Sequence, residues 1–259
     1  MKIAFVRAGD GAPVLLIHGV GGDASNWDPI AARLRSRFDV IAMDLRGHGA
    51  SDPIREEVDV DDFARDALRV LDDAGVQRCR VAGFSLGGAV ALALALRAPA
   101  RVERLAVIGT VCGRTPAQQA RALERVEYLR QHGTAALAEG NRERWFSAQF
   151  RQAHPDVVDR RVAQVSACDA ESYLRAFTVF CTAEFVDRLH EVRAPTLVVT
   201  GEHDVAATPA MAALIGARVR AAEVHILPGL HHSVLIEAPA TVGALLERFF
   251  AAERLSDKS

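Results

Sequence analysis

The six residues Gly83-Phe84-Ser85-Leu86-Gly87-Gly88 constrain this chain more than any other stretch. They follow Cys79-Arg80-Val81-Ala82, which reads as a short strand, and precede the apolar residues 89–96, which read as a helix. A serine between glycines at a strand-to-helix junction has the pattern of a nucleophile elbow. The turn is sharp, so small flanking residues are needed. The hydroxyl then stands at the carboxyl end of the strand, where the next backbone N–H faces developing negative charge. Taken alone, the same six residues would also serve as a plain glycine-rich connection. The rest of the chain decides between the two.

Strand patterns fall at 3–6, 14–17, 38–43, 79–82, 105–111, 196–200 and 221–227. Helical patterns fall at 30–34, 61–74, 89–96, 208–215 and 239–250. This alternation predicts an α/β fold with a mostly parallel sheet of seven or eight strands and helices on both faces. The run 14–17 is apolar throughout, as suits a strand buried on both sides. Between 115 and 191 the alternation stops and amphipathic helices take over, punctuated by Pro116, Gly133, Gly140 and Pro155. That stretch reads as a helical cap inserted between a first core part, 1–114, and a second, 192–259.

With 259 residues, one large core is feasible. Lys plus Arg number 31 against 33 Asp plus Glu, and the arginines are scattered, so no nucleic-acid surface is expected. Cys79, Cys112, Cys168 and Cys181 lie too far apart for a zinc pattern, and no metal is expected. No cleavable leader pattern opens the chain, and its longest apolar run is too short to span a bilayer. The expectation is a cytoplasmic protein, monomer or homodimer, acting on a small molecule without membrane or nucleic-acid partners.

Acyl transfer by serine needs a nucleophile, a histidine base, a carboxylate to orient the base, and donors for the oxyanion. Each has a candidate at a strand exit. Ser85 is the nucleophile. Asp204 follows the strand 196–200, and His231 or His232 follows the strand 221–227. In an open parallel sheet these exits share one edge, so residues distant in sequence can meet there. The Leu86 N–H supplies one oxyanion donor, and the loop His18-Gly19-Val20-Gly21-Gly22 another, at Val20. That loop lacks the Gly-Lys-Ser/Thr of a phosphate-binding loop. His48, between two glycines, reads as a loop residue rather than a catalytic one.

Together with Asp44-Leu45-Arg46-Gly47-His48-Gly49-Ala50-Ser51-Asp52 and Pro228-Gly229-Leu230-His231-His232, these motifs resemble the α/β-hydrolase fold family over nearly the whole chain. The family pattern of a glutamate five residues after the catalytic histidine, here Glu237-Ala238-Pro239, places the base at His232 and His231 beside it. The cap, from Glu127-Tyr128-Leu129 through Glu143-Arg144-Trp145-Phe146 to Asp169-Ala170-Glu171-Ser172-Tyr173, resembles that of 3-oxoadipate enol-lactonases. Those enzymes carry Ser-Asn-Ser-Leu-Gly where this chain has the His18 loop. The resemblance implies a cofactor-free Ser-His-Asp hydrolase of a carboxylic ester or enol-lactone. It implies a pocket drawn from His18, Trp27, Tyr128, Trp145, Phe146, Phe177, Cys181 and His231, with Arg130, His132 and Arg144 as candidates for substrate carboxylates. General carboxylesterases, carbon–carbon bond hydrolases of ring-fission products and non-catalytic receptor-like relatives share these motifs. A haloalkane dehalogenase would need aspartate in place of Ser85.

Overall fold

The computed structural model describes residues 1–252. Among them, β1 (Phe5–Ala8), β2 (Ala12–Ile17), β3 (Phe38–Met43), β4 (Cys79–Phe84), β5 (Val102–Ile108), β6 (Thr196–Gly201) and β7 (Ala222–Leu227) form one sheet. Its order is β1-β3-β2-β4-β5-β6-β7, with β1 antiparallel to β3 and every other pairing parallel. The helices are α1 (Asp28–Leu34), α2 (Val60–Asp73), α3 (Leu86–Arg97), α4 (Pro116–Glu139), α5 (Arg142–Trp145), α6 (Ala148–Ala153), α7 (Pro155–Ser166), α8 (Ala170–Thr182), α9 (Pro209–Arg218), α10 (Val234–Glu237) and α11 (Pro239–Ala251).

The pleat of β2 explains its unbroken apolar run. Leu15 and Ile17 face one way, into a cluster with Phe63 and Leu71 of α2 and Leu92 of α3. Val14 and Leu16 face the other way, against Ile30 and Leu34 of α1 and Leu246 and Phe250 of α11. Each such fully buried side chain contributes about 1.5–3 kcal/mol. Helix α3 is apolar on all sides because it lies between the sheet, α2 and α8.

Two strands depart from their expected limits. The strand expected at 105–111 runs from Val102 to Ile108. The charged Glu103 and Arg104 hide its start. Gly109, at φ +56°, turns the chain off the sheet at its end. The first strand is displaced from 3–6 to Phe5–Ala8, because pairing with β3 begins at Phe5 opposite Met43. Between β5 and β6 the chain is helical, from α4 to α8, with α4 kinked at Gly133. Helices α7 and α8 pack on α4, and α8 reaches the core at α3. Among the described residues, no helix is long and apolar enough to cross a membrane.

Candidate active site

Ser85 sits between β4 and α3 with φ 56° and ψ −116°. This is a backbone conformation that side chains other than glycine rarely adopt. The flanking glycines permit it by close approach. A Cβ at Gly83 would lie 2.0 Å from the Gly87 carbonyl oxygen, and one at Gly87 would lie 2.2 Å from that of Ile17. The Ser85 N–H donates to Ile108 O at 2.8 Å, tying the turn to β5.

Asp204 follows β6 and His232 follows β7, so the parallel sheet brings both to the edge where β4 ends. The Ser85 hydroxyl lies 3.1 Å from His232 Nε2. His232 Nδ1 lies 2.6 Å from Asp204 Oδ2. The other carboxylate oxygen, Oδ1, accepts from the N–H groups of Ala206 at 2.8 Å and Ala207 at 2.9 Å. Burial alone would raise the Asp204 pKa. The His232 ring and the two N–H groups outweigh it and hold the carboxyl below its ordinary value. The carboxylate therefore keeps the ring proton on Nδ1 and leaves Nε2 free to accept from Ser85.

Gly19 abuts the serine; a Cβ there would come within 3.0 Å of Ser85 Cβ. The carbonyl of the Gly19–Val20 peptide accepts from His18 Nδ1 at 2.7 Å and from Gly22 N–H at 3.1 Å. These bonds orient the peptide whose N–H belongs to Val20, and polarise it. His18 Nε2 accepts from Leu45 N–H at 2.9 Å. Beside it, His48 Nδ1 donates to Arg46 O and its Nε2 accepts from Gly21 N–H at 3.0 Å. Both imidazoles are therefore neutral struts of the loop. Burial pushes His18 down to about 4; burial and the neighbouring His18 push His48 down to about 3. Among the described residues, neither the Val20 nor the Leu86 N–H is given to a protein acceptor. From the cap, Arg161 of α7 donates to Gly21 O at 2.6 Å and Val20 O at 3.0 Å. Its guanidinium also stacks 5.4 Å over the Trp145 ring.

A cavity of about 1060 Å³ opens above Ser85, walled by the core loops below and by α4, α5, α7 and α8 above. Of the residues expected in its wall, Trp145, Phe177, Cys181, His231 and Arg144 are there. Four expectations are corrected. His18 is wholly buried behind the loop it braces. Trp27 is buried on the far face of the sheet, with α1 and α11. Phe146 is buried and stacked on Phe150. Tyr128 is exposed, stacked on His132, because α4 turns Leu129 inward and its neighbour outward. Arg130 is likewise a surface residue, paired with Glu127.

Sequence reading missed Arg125 and Arg161, which also line the cavity, as do the cap aromatics Tyr173 and Phe180. A signal for the first was present. Gln118, Arg121, Ala122 and Arg125 recur at i, i+3, i+4 and i+7, so two arginines occupy one stripe of a helix. Among the described residues, no group of three or more His, Cys, Asp or Glu is placed to hold a metal ion.

A model of the α/β hydrolase fold matches residues 12–239, and the chain belongs to that family. Hydrolase chemistry is accordingly its general activity. Similar proteins include the (E)-2-((N-methylformamido)methylene)succinate hydrolase of Acinetobacter baylyi, 26% identical over 94% of this chain and 92% of its own length. The 3-oxoadipate enol-lactonase 2 of the same organism is also 26% identical, over 93% and 90%. Among solved structures, the enol-lactonase from Burkholderia xenovorans superposes with a TM-score of 0.89 at 26% identity, covering 96% of each chain.

Proposed function

We propose that this hydrolase cleaves a carboxylic ester or enol-lactone through an acyl-enzyme on Ser85. Ser85 Oγ attacks the carbonyl carbon while His232 Nε2 takes its proton. Asp204 holds the imidazolium that forms. The oxyanion is met by the N–H groups of Val20 and Leu86, each worth about 3 kcal/mol in the transition state. His232 then protonates the leaving alkoxide or enolate. In the second half, His232 draws a proton from water, the hydroxide adds to the acyl carbon, and the acid leaves as Ser85 recovers its proton. The cap over residues 115–191 selects what reaches the serine.

The observation that carries this reading is the unbroken hydrogen-bonded run from Ser85 through His232 to Asp204 at the cavity floor. The enol-lactonases among its relatives favour a lactone as the substrate form. The test is steady-state hydrolysis of 3-oxoadipate enol-lactone beside short aryl esters, with Ser85→Ala as control. The expected loss in Ser85→Ala is on the order of 10⁶-fold, with a serine-reactive phosphonate labelling the wild type alone. Near-normal turnover in that variant would overturn the assignment. Good ester turnover with weak lactone turnover would place the chain among general esterases.

A further inference from the structure

The loop of residues 18–22, beside Ser85, is held from two sides, and the two holds differ in kind. From the core, His18 Nδ1 and Gly22 N–H both donate to Gly19 O, and His48 Nε2 accepts from Gly21 N–H. From the cap, Arg161 of α7 donates to Val20 O at 3.0 Å and to Gly21 O at 2.6 Å. Among the described residues, no other group donates to either carbonyl. The Val20 N–H lies in the Gly19–Val20 peptide plane, which the core holds. The next plane, Val20–Gly21, shares the Val20 Cα and limits how far the first can rock. That second plane is held by the cap.

Arg161 is itself mounted. Its Nη1 also donates to Gln164 Oε1 at 2.7 Å, one turn further along α7. Gln164 Nε2 in turn donates to Asp23 Oδ2 at 2.8 Å, just past the loop. The Trp145 ring lies 5.4 Å from the guanidinium, and Trp145 O accepts from Ser233 N–H at 2.9 Å, next to His232. One turn of the cap thus braces the Val20 loop and the His232 loop together. The cap also packs straight onto the first of these. A Cβ at Gly21 would lie 2.8 Å from Tyr173 Cε2 and 2.9 Å from Val165 Cγ2. The three acceptors of Arg161, Val20 O, Gly21 O and Gln164 Oε1, are all neutral, so a full positive charge stands against the loop on which negative charge develops. A planar fork can reach two neighbouring carbonyls at once, which an ammonium cannot do with the same rigidity.

We infer that the cap completes the oxyanion hole: Arg161 is a positioning residue that fixes the Val20 N–H through the carbonyls of Val20 and Gly21 and sets its charge beside the developing oxyanion. The cap is thereby part of the catalytic apparatus as well as a cover for the cavity. This rests on Ser85 hydrolysis as proposed above, and deepens it by naming a residue outside the triad on which the transition state depends.

The test uses 4-nitrophenyl butyrate, a neutral ester, and two ketones of the same chain length. A trifluoromethyl ketone takes Ser85 Oγ at its carbonyl carbon while His232 takes the proton, and the resulting oxyanion occupies the hole. The matching methyl ketone binds without forming that charge. Arg161→Gln should lower kcat by on the order of 10–100-fold, part of what loss of a donor itself costs, with KM within about threefold of wild type. Affinity for the trifluoromethyl ketone should fall by the same factor, and affinity for the methyl ketone should not. Arg161→Lys, which keeps the charge but not the fork, should lie between, and decides the matter should Arg161→Gln fail to fold. Equal weakening of both ketones with a raised KM would make Arg161 a cap-packing residue and overturn the inference. An unchanged kcat in Arg161→Gln, with Ser85→Ala inactive, would overturn it and leave the Ser85 reading standing. A wild type that neither turns over the ester nor forms the ketone adduct would overturn the Ser85 reading, and this inference with it.

Discussion

On the floor of the cavity, Ser85, His232 and Asp204 satisfy one another and are closed off by the N–H groups of Ala206 and Ala207. On its roof, Arg125 and Arg144 line the same cavity, Arg125 bonded to Asn141 Oδ1 at 2.7 Å. The charged groups of the floor are bonded to one another, whereas those of the roof are held by neutral partners or none. Arg161 joins the two, since a cap residue holds the carbonyls of Val20 and Gly21.

The largest effect that would sharpen this contrast is on the floor. Asp204→Asn should lower kcat by about 10⁴-fold with neutral and acidic esters alike, because it favours the wrong His232 tautomer. A loss confined to acidic esters would break the division between the walls. Next comes the joint. Arg161→Met should cost about 10–100-fold in kcat toward a neutral aryl ester by loosening the Val20 loop, an effect that a pure substrate-binding residue would not have.

A smaller effect concerns pH. His18 and His48 are held neutral in the fold, below the ordinary 6.5, down to about 4 and about 3. Below pH 6.5 the unfolded chain takes up protons that the folded chain refuses. Their contribution to stability is thus complete above pH 6.5 and is lost progressively as pH falls toward 3. Urea midpoints measured from pH 7.5 to 4.5 should fall, and less steeply in His48→Gln. A midpoint independent of pH over this range would show that the two rings do not brace the loop as neutral groups. The smallest effect is expected from Tyr128→Ala, whose ring lies outside the cavity: kinetics within about twofold of wild type and stability within about 0.5 kcal/mol.

What could be read from the residues alone follows from how local each signal is. The elbow, Asp204 and His232 sit at strand exits, where a parallel sheet fixes their common edge, so their meeting followed from order and topology. The run 14–17 announced its burial because both faces are covered. The start of β5 did not, since Glu103 and Arg104 break its apolar pattern. The roof was less legible for a different reason. Which side of a cap helix faces the cavity depends on packing between helices, and a one-residue difference separates the buried Leu129 from the exposed Tyr128. His18 misled through its neighbours. Glycines on its carboxyl side suggested an open loop, whereas the ring is consumed by Gly19 O and Leu45 N–H.

The backbone of Ser85 sets activity against endurance. A non-glycine residue at φ 56° and ψ −116° costs on the order of 1–3 kcal/mol, within a total of about 5–15 kcal/mol for a native domain. Glycine at this position would relieve that cost and give back only about 0.5–1 kcal/mol in the entropy of the unfolded chain. The Ser85→Gly protein should therefore outlast its parent on heating, by a few degrees. Selection for thermal resistance alone would erode Ser85 before it eroded the sheet that presents it.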